Sequence, residues 1–395
     1  MASTTGASKP SSAIPHHPPS LSLPPSQFAR LQPHAYLLAH LSPPASSNQP
    51  SIRANGRAPS QFRITSANAG SLTHANGSAV VRVGDTVAVC GVRAEILHTE
   101  DIAAWGVSAS SSAVKKRKTG DPTDDVDEED DSQIRDFDLL VPNLSLSTGC
   151  GPGFIPGAAP STLAQSLSHQ LLSLLHTSRL VRAEDLRIWY EQPDFLSLDR
   201  HNEEEMETDE KKHSGASKRE IKAFWVLYID VMIISLAGNP FDAAWAAVLA
   251  ALRDTKLPRA WWDLDNEIVV CSDELSEARK LTLRGIPVAS SYSVFEADAA
   301  AAWRAVVIPD VDQEKEQAEK VAGQRWILAD PDAFEENLCQ ESVRVVVDKD
   351  NGGKTKIVKL EKNGGLAVDK EELRKLVELS TQRWEQIKNM LEGLR

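Results

Sequence analysis

The sequence predicts a mixed α/β body made of two similar halves. Three observations carry this. Residues 62–95 hold short β-branched segments with Gly or Asn at each corner. Residues 221–257 hold one long apolar run followed at once by an alanine-rich helix. Beyond them, strand-like and helix-like segments alternate to the end of the chain, the pattern of strands covered by helices.

Each element has a local reason. Residues 1–25 are Ser/Pro-rich and cannot bury enough apolar surface to fold, so a disordered tail is expected. Residues 26–50 read as a helix, interrupted by Pro33, and a linker. The folded domain is placed at 51–395, opening on the Asn55-Gly56 turn. Phe62–Thr65, Gly70–Leu72, Gly77–Val83 and Thr86–Glu95 form a meander, with Gly84-Asp85 as a hairpin turn. Pro160-Ser161-Thr162 starts a helix whose Leu163, Leu167, Leu171 and Leu174 make one stripe.

Phe224–Ile234 is short, β-branched and aromatic, and is expected to be a strand buried on both faces, with Asp230 the one acid inside it. Phe241–Leu252 is an alanine-rich helix packed on that strand. Strands are expected near 267–270, 281–283, 287–295, 306–308, 326–328, 342–347 and 356–360. A final helix spans 369–394, with Leu373, Leu376, Val377, Leu379 and Ile387 inward.

Three charged insertions, near 98–135, 199–217 and 310–324, interrupt the body as exposed loops. The formal charge is −13, but 115–131 and 199–212 carry −4 each, so whole-chain charge describes the folded surface poorly. Within the first insertion, Lys115, Lys116, Arg117 and Lys118 form a possible nuclear import signal or a plain solvated loop. The four cysteines are scattered, which indicates neither a disulfide framework nor a metal site. No apolar run approaches a bilayer span and the N-terminus has no apolar signal core, so a soluble intracellular protein is expected.

Several pieces in this order resemble the RNase PH family, specifically the RNase PH-like ring subunits of the eukaryotic RNA exosome. They are Arg53-Ala54-Asn55-Gly56-Arg57, Phe62-Arg63, Asn68–Leu72, Ala75–Ala79, Gly84-Asp85-Thr86 and Cys90–Glu95. Further on come Ile229-Asp230-Val231, Asp242-Ala243-Ala244, Asp330-Pro331 with Glu335-Glu336, and Gly364-Gly365 before the last helix. The resemblance leaves out the tail and the three charged loops.

The resemblance implies duplicated βαβα halves with mixed sheets. It implies heterodimers within a hexameric ring, RNA threading a central channel, cap proteins on one face and an associated exoribonuclease. It also implies rRNA maturation, mRNA turnover and RNA surveillance in the nucleus, nucleolus and cytoplasm. Catalytic members shorten RNA from its 3′ end with inorganic phosphate. That reaction needs an acid for the leaving oxygen and cations to hold phosphate.

In the resemblance, the catalytic Asp position falls seven residues past Asp230, on Ala237, which can neither give nor take a proton. The phosphate-clamp arginine falls on His169, within Ser168-His169-Gln170, and an imidazole cannot form the guanidinium fork. Residues 151–161, where active members place further arginines for RNA, contain none. A non-catalytic ring subunit is therefore expected, with no cofactor and no metal. The alternatives are an active phosphorolytic exoribonuclease and an RNA-binding scaffold outside the exosome. Asp230 is read as a frame residue, pairing with a backbone N–H or a base inside the fold. Arg57, Arg63, Arg82 and Arg93 are the candidates for RNA phosphate contact. For Arg57 and Arg63 the other reading, pairing with acids to brace the fold, is preferred.

Overall fold

The computed structural model describes residues 24–43, 49–103, 105, 131–155, 157, 159–191, 219–297, 324–339, 341–350, 352–365 and 369–394. These fall into two compact units, one up to Ala58 and the other Pro59–Glu296 with the residues from Gln324 on. The Asn55-Gly56 turn belongs to the first unit. That unit holds α1 (Pro25–Leu31) and α2 (Pro33–Leu41), each with proline in its first turn, where a missing N–H costs nothing.

The second unit opens with β1 (Thr65–Ala69), β2 (Gly77–Val83) and β3 (Thr86–His98), the expected antiparallel meander. β4 (Leu140–Leu146), α3 (Thr162–Ser178), α4 (Ala183–Leu186) and β5 (Arg187–Glu191) follow. Ser161 caps α3 by accepting from the Ala164 N–H at 3.2 Å. The long β6 (Arg219–Ser235) then enters between β3 and β4, antiparallel to β3 and parallel to β4, and β5 pairs with its first half.

Strand β6 is not buried on both faces throughout. Ala223–Leu227 are buried, but from Tyr228 on burial alternates, with Asp230, Met232 and Ile234 exposed. The reason is that helices cover this sheet on one side. α5 (Pro240–Asp254) lies across β1, β2, β3 and β6, while α3 lies on β4.

Every residue of α5 from Phe241 to Leu252 is buried, because the second sheet closes over it. Alanine along the helix lets both layers approach. Where β2 crosses the end of α5, a Cβ on Gly77 would lie 2.6 Å from the Ala251 carbonyl oxygen, so only glycine fits.

Short β7 (Lys256–Leu257), β8 (Ala260–Asp263), β9 (Ile268–Cys271) and β10 (Arg279–Lys280) come next. The strand expected at 281–283 is reduced to a single bridge, Val181 to Leu283. The second sheet is antiparallel, in the order β12 (Arg325–Ala329), β11 (Val288–Glu296), β13 (Glu341–Lys349), β14 (Thr355–Asn363). α6 (Ala333–Leu338) joins β12 to β13, and α7 (Lys370–Glu392) packs on β11 and β13. Its inner side is Leu376, Ser380, Arg383, Trp384, Ile387 and Leu391, a more polar and aromatic face than the leucine spacing suggested.

Three large buried side chains of this core have their polar atoms paired. Trp245 Nε1 donates to the Pro287 carbonyl at 2.7 Å, Trp384 Nε1 to Ile286 at 2.8 Å, and the Tyr292 hydroxyl to Leu376 at 3.1 Å.

The first insertion is narrower than its charge pattern suggested. Residues 131–136 are helical, Ile134 and Phe137 are buried, and the Phe137 and Trp105 rings both meet Phe224 at 5.5 Å. The basic cluster at 115–118, the whole second insertion, residues 306–308 and nearly all of the third insertion lie outside the described residues.

Candidate functional site

The turn after β6, Leu236-Ala237-Gly238-Asn239, is the structural centre of the second unit. Gly238 has φ +91°, and a Cβ there would lie 2.4 Å from the Ala333 nitrogen. Asn239 is also left-handed, at φ +47°, and is the N-cap of α5, followed by Pro240 at N1. The turn is thus pressed against α6 with no room for another shape.

Arg63 locks it. Its Nη1 donates to the Ala237 carbonyl at 3.1 Å and to Thr86 Oγ1 at 3.3 Å. Nη2 donates to Gly238 at 3.1 Å and Asp330 Oδ1 at 2.7 Å, and Nε to Asp330 Oδ2 at 2.8 Å. A guanidinium has five N–H groups, and all five are now used. Burial pushes the Asp330 carboxyl up, but the Arg63 bonds and charge, with Asn239, outweigh it and hold Asp330 below the usual carboxylate range.

The network continues into α5 and the second sheet. Asn239 Nδ2 donates to Asp330 Oδ1 and to Asp242 Oδ2, each at 2.8 Å. Asp242 also accepts from the Ser291 N–H at 2.8 Å and hydroxyl at 2.7 Å. The Asn239 N–H donates to Glu336 Oε1 at 2.7 Å. Burial among Asp330 and Asp242 pushes Glu336 up to about 7, against the opposing pull of that N–H and of Arg63.

Beside this network lies a cleft of about 420 Å³ between α3, the turn and the second sheet. Gln170, Leu236, Asn239, Glu336, Glu341 and Arg344 are among its lining residues. Arg344 is the one cation among the described lining residues, and it is already committed. Its guanidinium stacks 3.7 Å from the Phe241 ring centre and donates to Gln170 at 2.9 Å, Glu361 at 3.2 Å and Ser291 at 3.3 Å. Burial lowers its affinity for its proton, against Asp242 and Glu361. Glu341 is likewise tied, to Lys362 at 2.6 Å and Arg325 at 3.2 Å. The cleft thus offers carboxylates and amides, and its one cation among the described lining residues is ion-paired with Glu361 through Nη1.

The sequence-derived residues fall as follows. Ala237 is in the turn, with its N–H on Thr86 Oγ1 at 3.1 Å, but does not line the cleft. His169 is exposed on α3. Its neighbours Ser168 and Gln170 turn inward, to Leu144 and Arg344, while His169 does not line the cleft.

The expectation for Asp230 is corrected. It is exposed on the open sheet face opposite Gly91, and accepts only a 3.3 Å bond from Asn143 Nδ2. Alternation along β6 carries it outward, so it pairs with neither a backbone N–H nor a base.

Arg63 is likewise removed as an RNA contact, since no N–H remains for a phosphate. Arg82 and Arg93 do reach solvent on the open face, paired with Asp85 at 3.4 Å and Glu95 at 3.1 Å. Arg57 sits in the first unit, its N–H on Asn55 Oδ1 at 3.1 Å. The importance of Thr86, Asn239, Ser291 and Arg344 was missed. Among the described residues no group of His, Cys, Asp and Glu could hold a metal ion.

Two sheets thus share the buried helix α5, which follows the tight turn after β6. Residues 61–258 match the family model described as the 3′ exoribonuclease family, domain 1, and the chain belongs to this family. It is similar to the exosome complex component rrp43 of Schizosaccharomyces pombe, 31% identical over 360 residues, covering 91% of this chain and 95% of that one. The exosome complex component Rrp42 of Methanothermobacter thermautotrophicus is 26% identical over 223 residues, covering 56% and 59%. The solved Archaeoglobus fulgidus exosome with RNA bound to the active site contains a chain of the same fold. Its TM-score is 0.53 at 20% identity, over 90% of this chain and 96% of that one.

Proposed function

We propose that this chain is a non-catalytic subunit of the RNase PH-like ring of the RNA exosome, supporting 3′-to-5′ RNA processing and degradation. The observation that carries the reading is the cleft beside the turn. Ala237 replaces the proton-transferring carboxylate that the resemblance expects, and the one lining cation, Arg344, is held by Phe241, Gln170 and Glu361. A phosphate entering there would meet the carboxylates of Glu336 and Glu341, and a guanidinium whose charge is already paired with Glu361. The likeness to rrp43 over most of both chains supports membership of the ring.

The partners in this reading are other RNase PH-like subunits, cap proteins, an associated exoribonuclease and RNA. The frame built on Arg63 and Asp330 gives the chain the rigidity a ring position needs without chemistry of its own. In cells the reading places the protein in nucleus, nucleolus and cytoplasm.

Two measurements test this. The purified chain, given RNA and inorganic phosphate, releases no nucleoside diphosphates. The tagged chain, isolated from cells and analysed by mass spectrometry, carries RNase PH-like partners. Diphosphate release that Asp230→Ala abolishes would instead establish an active exoribonuclease, and an isolate without such partners would establish a scaffold outside the ring.

A further inference from the structure

Among the described residues, β8 and β9 pair only with each other and join neither large sheet. An isolated two-stranded ribbon is marginal in water, so its stability depends on what its faces touch. The register pairs Trp261 with Val270, Trp262 with Val269 and Asp263 with Ile268. Side chains alternate, so the two faces separate cleanly. Ala260, Val269 and Cys271 pack against the core on the inner face. Trp262 joins them there, edge-on to His98 at 6.1 Å, with Lys222 over its ring at 5.7 Å.

The outer face carries Trp261, Val270 and Ile268. Trp261 is 41% exposed and Ile268 51%, and Leu264 at the turn is 55% exposed. This is a contiguous apolar patch, unlike the scattered single residues of an ordinary surface.

The rim of the patch is acidic. The turn holds Asp263, Asp265 and Glu267. Asp263 closes the turn, accepting from the Asp265 N–H at 3.1 Å and Asn266 Nδ2 at 2.7 Å. Glu267 has φ +53°, a conformation that suits Gly or Asn better, yet a carboxylate stands there. None of the three acids has an ion-pair partner among the described residues. The nearby cations are spent elsewhere. Lys222 pairs with Glu220 at 3.2 Å, Arg259 with Glu277 at 3.3 Å, and Arg187 donates to Gln133 at 2.7 Å.

We propose that the outer face of the β8–β9 ribbon docks a segment of a partner protein. An apolar side chain of that segment seats on Trp261, Val270 and Ile268, and its Lys or Arg residues meet Asp265 and Glu267. The uncompensated acids choose this occupant. They repel an RNA backbone, and in a second copy of this chain they would meet their own kind. The site does not depend on the ring reading, because it requires a bound basic protein and not an RNase PH-like one.

The test uses native complexes isolated on the tagged chain and a carbodiimide, which joins a carboxylate directly to an amine. Asp265 or Glu267 is expected to link to a lysine of another polypeptide. Asp265→Lys with Glu267→Lys lowers that link at least about tenfold and releases that polypeptide in a salt wash, and changing the linked lysine to Glu restores it. Trp261→Ala also releases it. The turn variant, being fully at the surface, keeps the test valid if Trp261→Ala unfolds the ribbon. The proposal is overturned if links form only to a second copy of this chain, or if ultraviolet light joins RNA to Trp261. It is equally overturned if no link forms and Trp261 oxidises as fast in the complex as in the freed chain.

Discussion

Arg63 and Asp330 stand 267 positions apart in sequence and meet through a fork, Nη2 to Oδ1 at 2.7 Å and Nε to Oδ2 at 2.8 Å. The Arg63 N–H adds a third bond to the same carboxylate at 3.0 Å. The pair ties the segment before β1 to the loop after β12 and holds the turn after β6 between them. Removing either partner leaves the other charge buried and unpaired, a loss of about 3–5 kcal/mol. Arg63→Ala and Asp330→Ala are each expected to lower the unfolding free energy from urea titration by that amount. Arg63→Met with Asp330→Leu should cost less than the two single losses together, since no charge is stranded. Additive losses in a double-mutant cycle would show that the two residues do not act as a pair.

Glu336 makes stability depend on pH. Its carboxyl is raised from an ordinary 4.5 to about 7 in the folded chain, so folding favours the protonated form. The contribution is fully present below about 4.5 and is lost as pH rises through about 7. Its outer side is open to solvent, so screening reduces the effect. Glu336→Gln keeps an acceptor for the Asn239 N–H and removes the charge. Thermal midpoints measured from pH 4 to pH 8 should coincide for the two proteins at the acid end, with the variant the more stable at the alkaline end. Parallel curves would rule this out. Asp330 acts in the opposite sense, since its lowered carboxyl loses its contribution on acidification.

Placing an acid at position 237 should not give the chain phosphorolytic chemistry. In Ala237→Asp, and in Ala237→Asp with His169→Arg, no phosphate-dependent release of nucleoside diphosphate is expected. His169 sits on the exposed face of α3 and does not line the cleft, and Arg344 stays bound to its partners. Chromatography of the nucleotide products reads the outcome, and turnover by either variant would show that a phosphate site persists.

Gly238→Ala is expected to destabilise by about 1–3 kcal/mol from overpacking alone. The added methyl meets the α6 backbone at 2.4 Å, and φ +91° adds strain. Urea midpoints of the variant and parent measure the difference. A loss under 0.5 kcal/mol would mean that α6 yields, and that the turn is not clamped as described.

Much of the fold was legible locally. The meander, α3, α5 and α7 each carried their own periodicity or corners, and Ser161 marked a helix start that the structure keeps. Less of the candidate site was legible, because its members come from segments far apart in the chain. Arg344 joins α3, α5 and β14, and no spacing in the sequence foretells such a meeting. Asp230 was misplaced for a related reason. An apolar run reads as buried on both faces, and only the one-sided helix cover reveals which residues alternate outward.

By itself, then, the sequence determined the order of elements and, through resemblance, the family and the absence of a carboxylate at Ala237. Those properties depend on short windows of residues and on side-chain identity. Tertiary structure alone decided that Arg63 is fully occupied, that Asp230 faces solvent, and that Arg344 in the cleft is stacked on Phe241 and ion-paired with Glu361. These depend on which distant groups share a low-dielectric pocket and which hydrogen-bond donors are left over, and both are settled only when the two sheets close on α5.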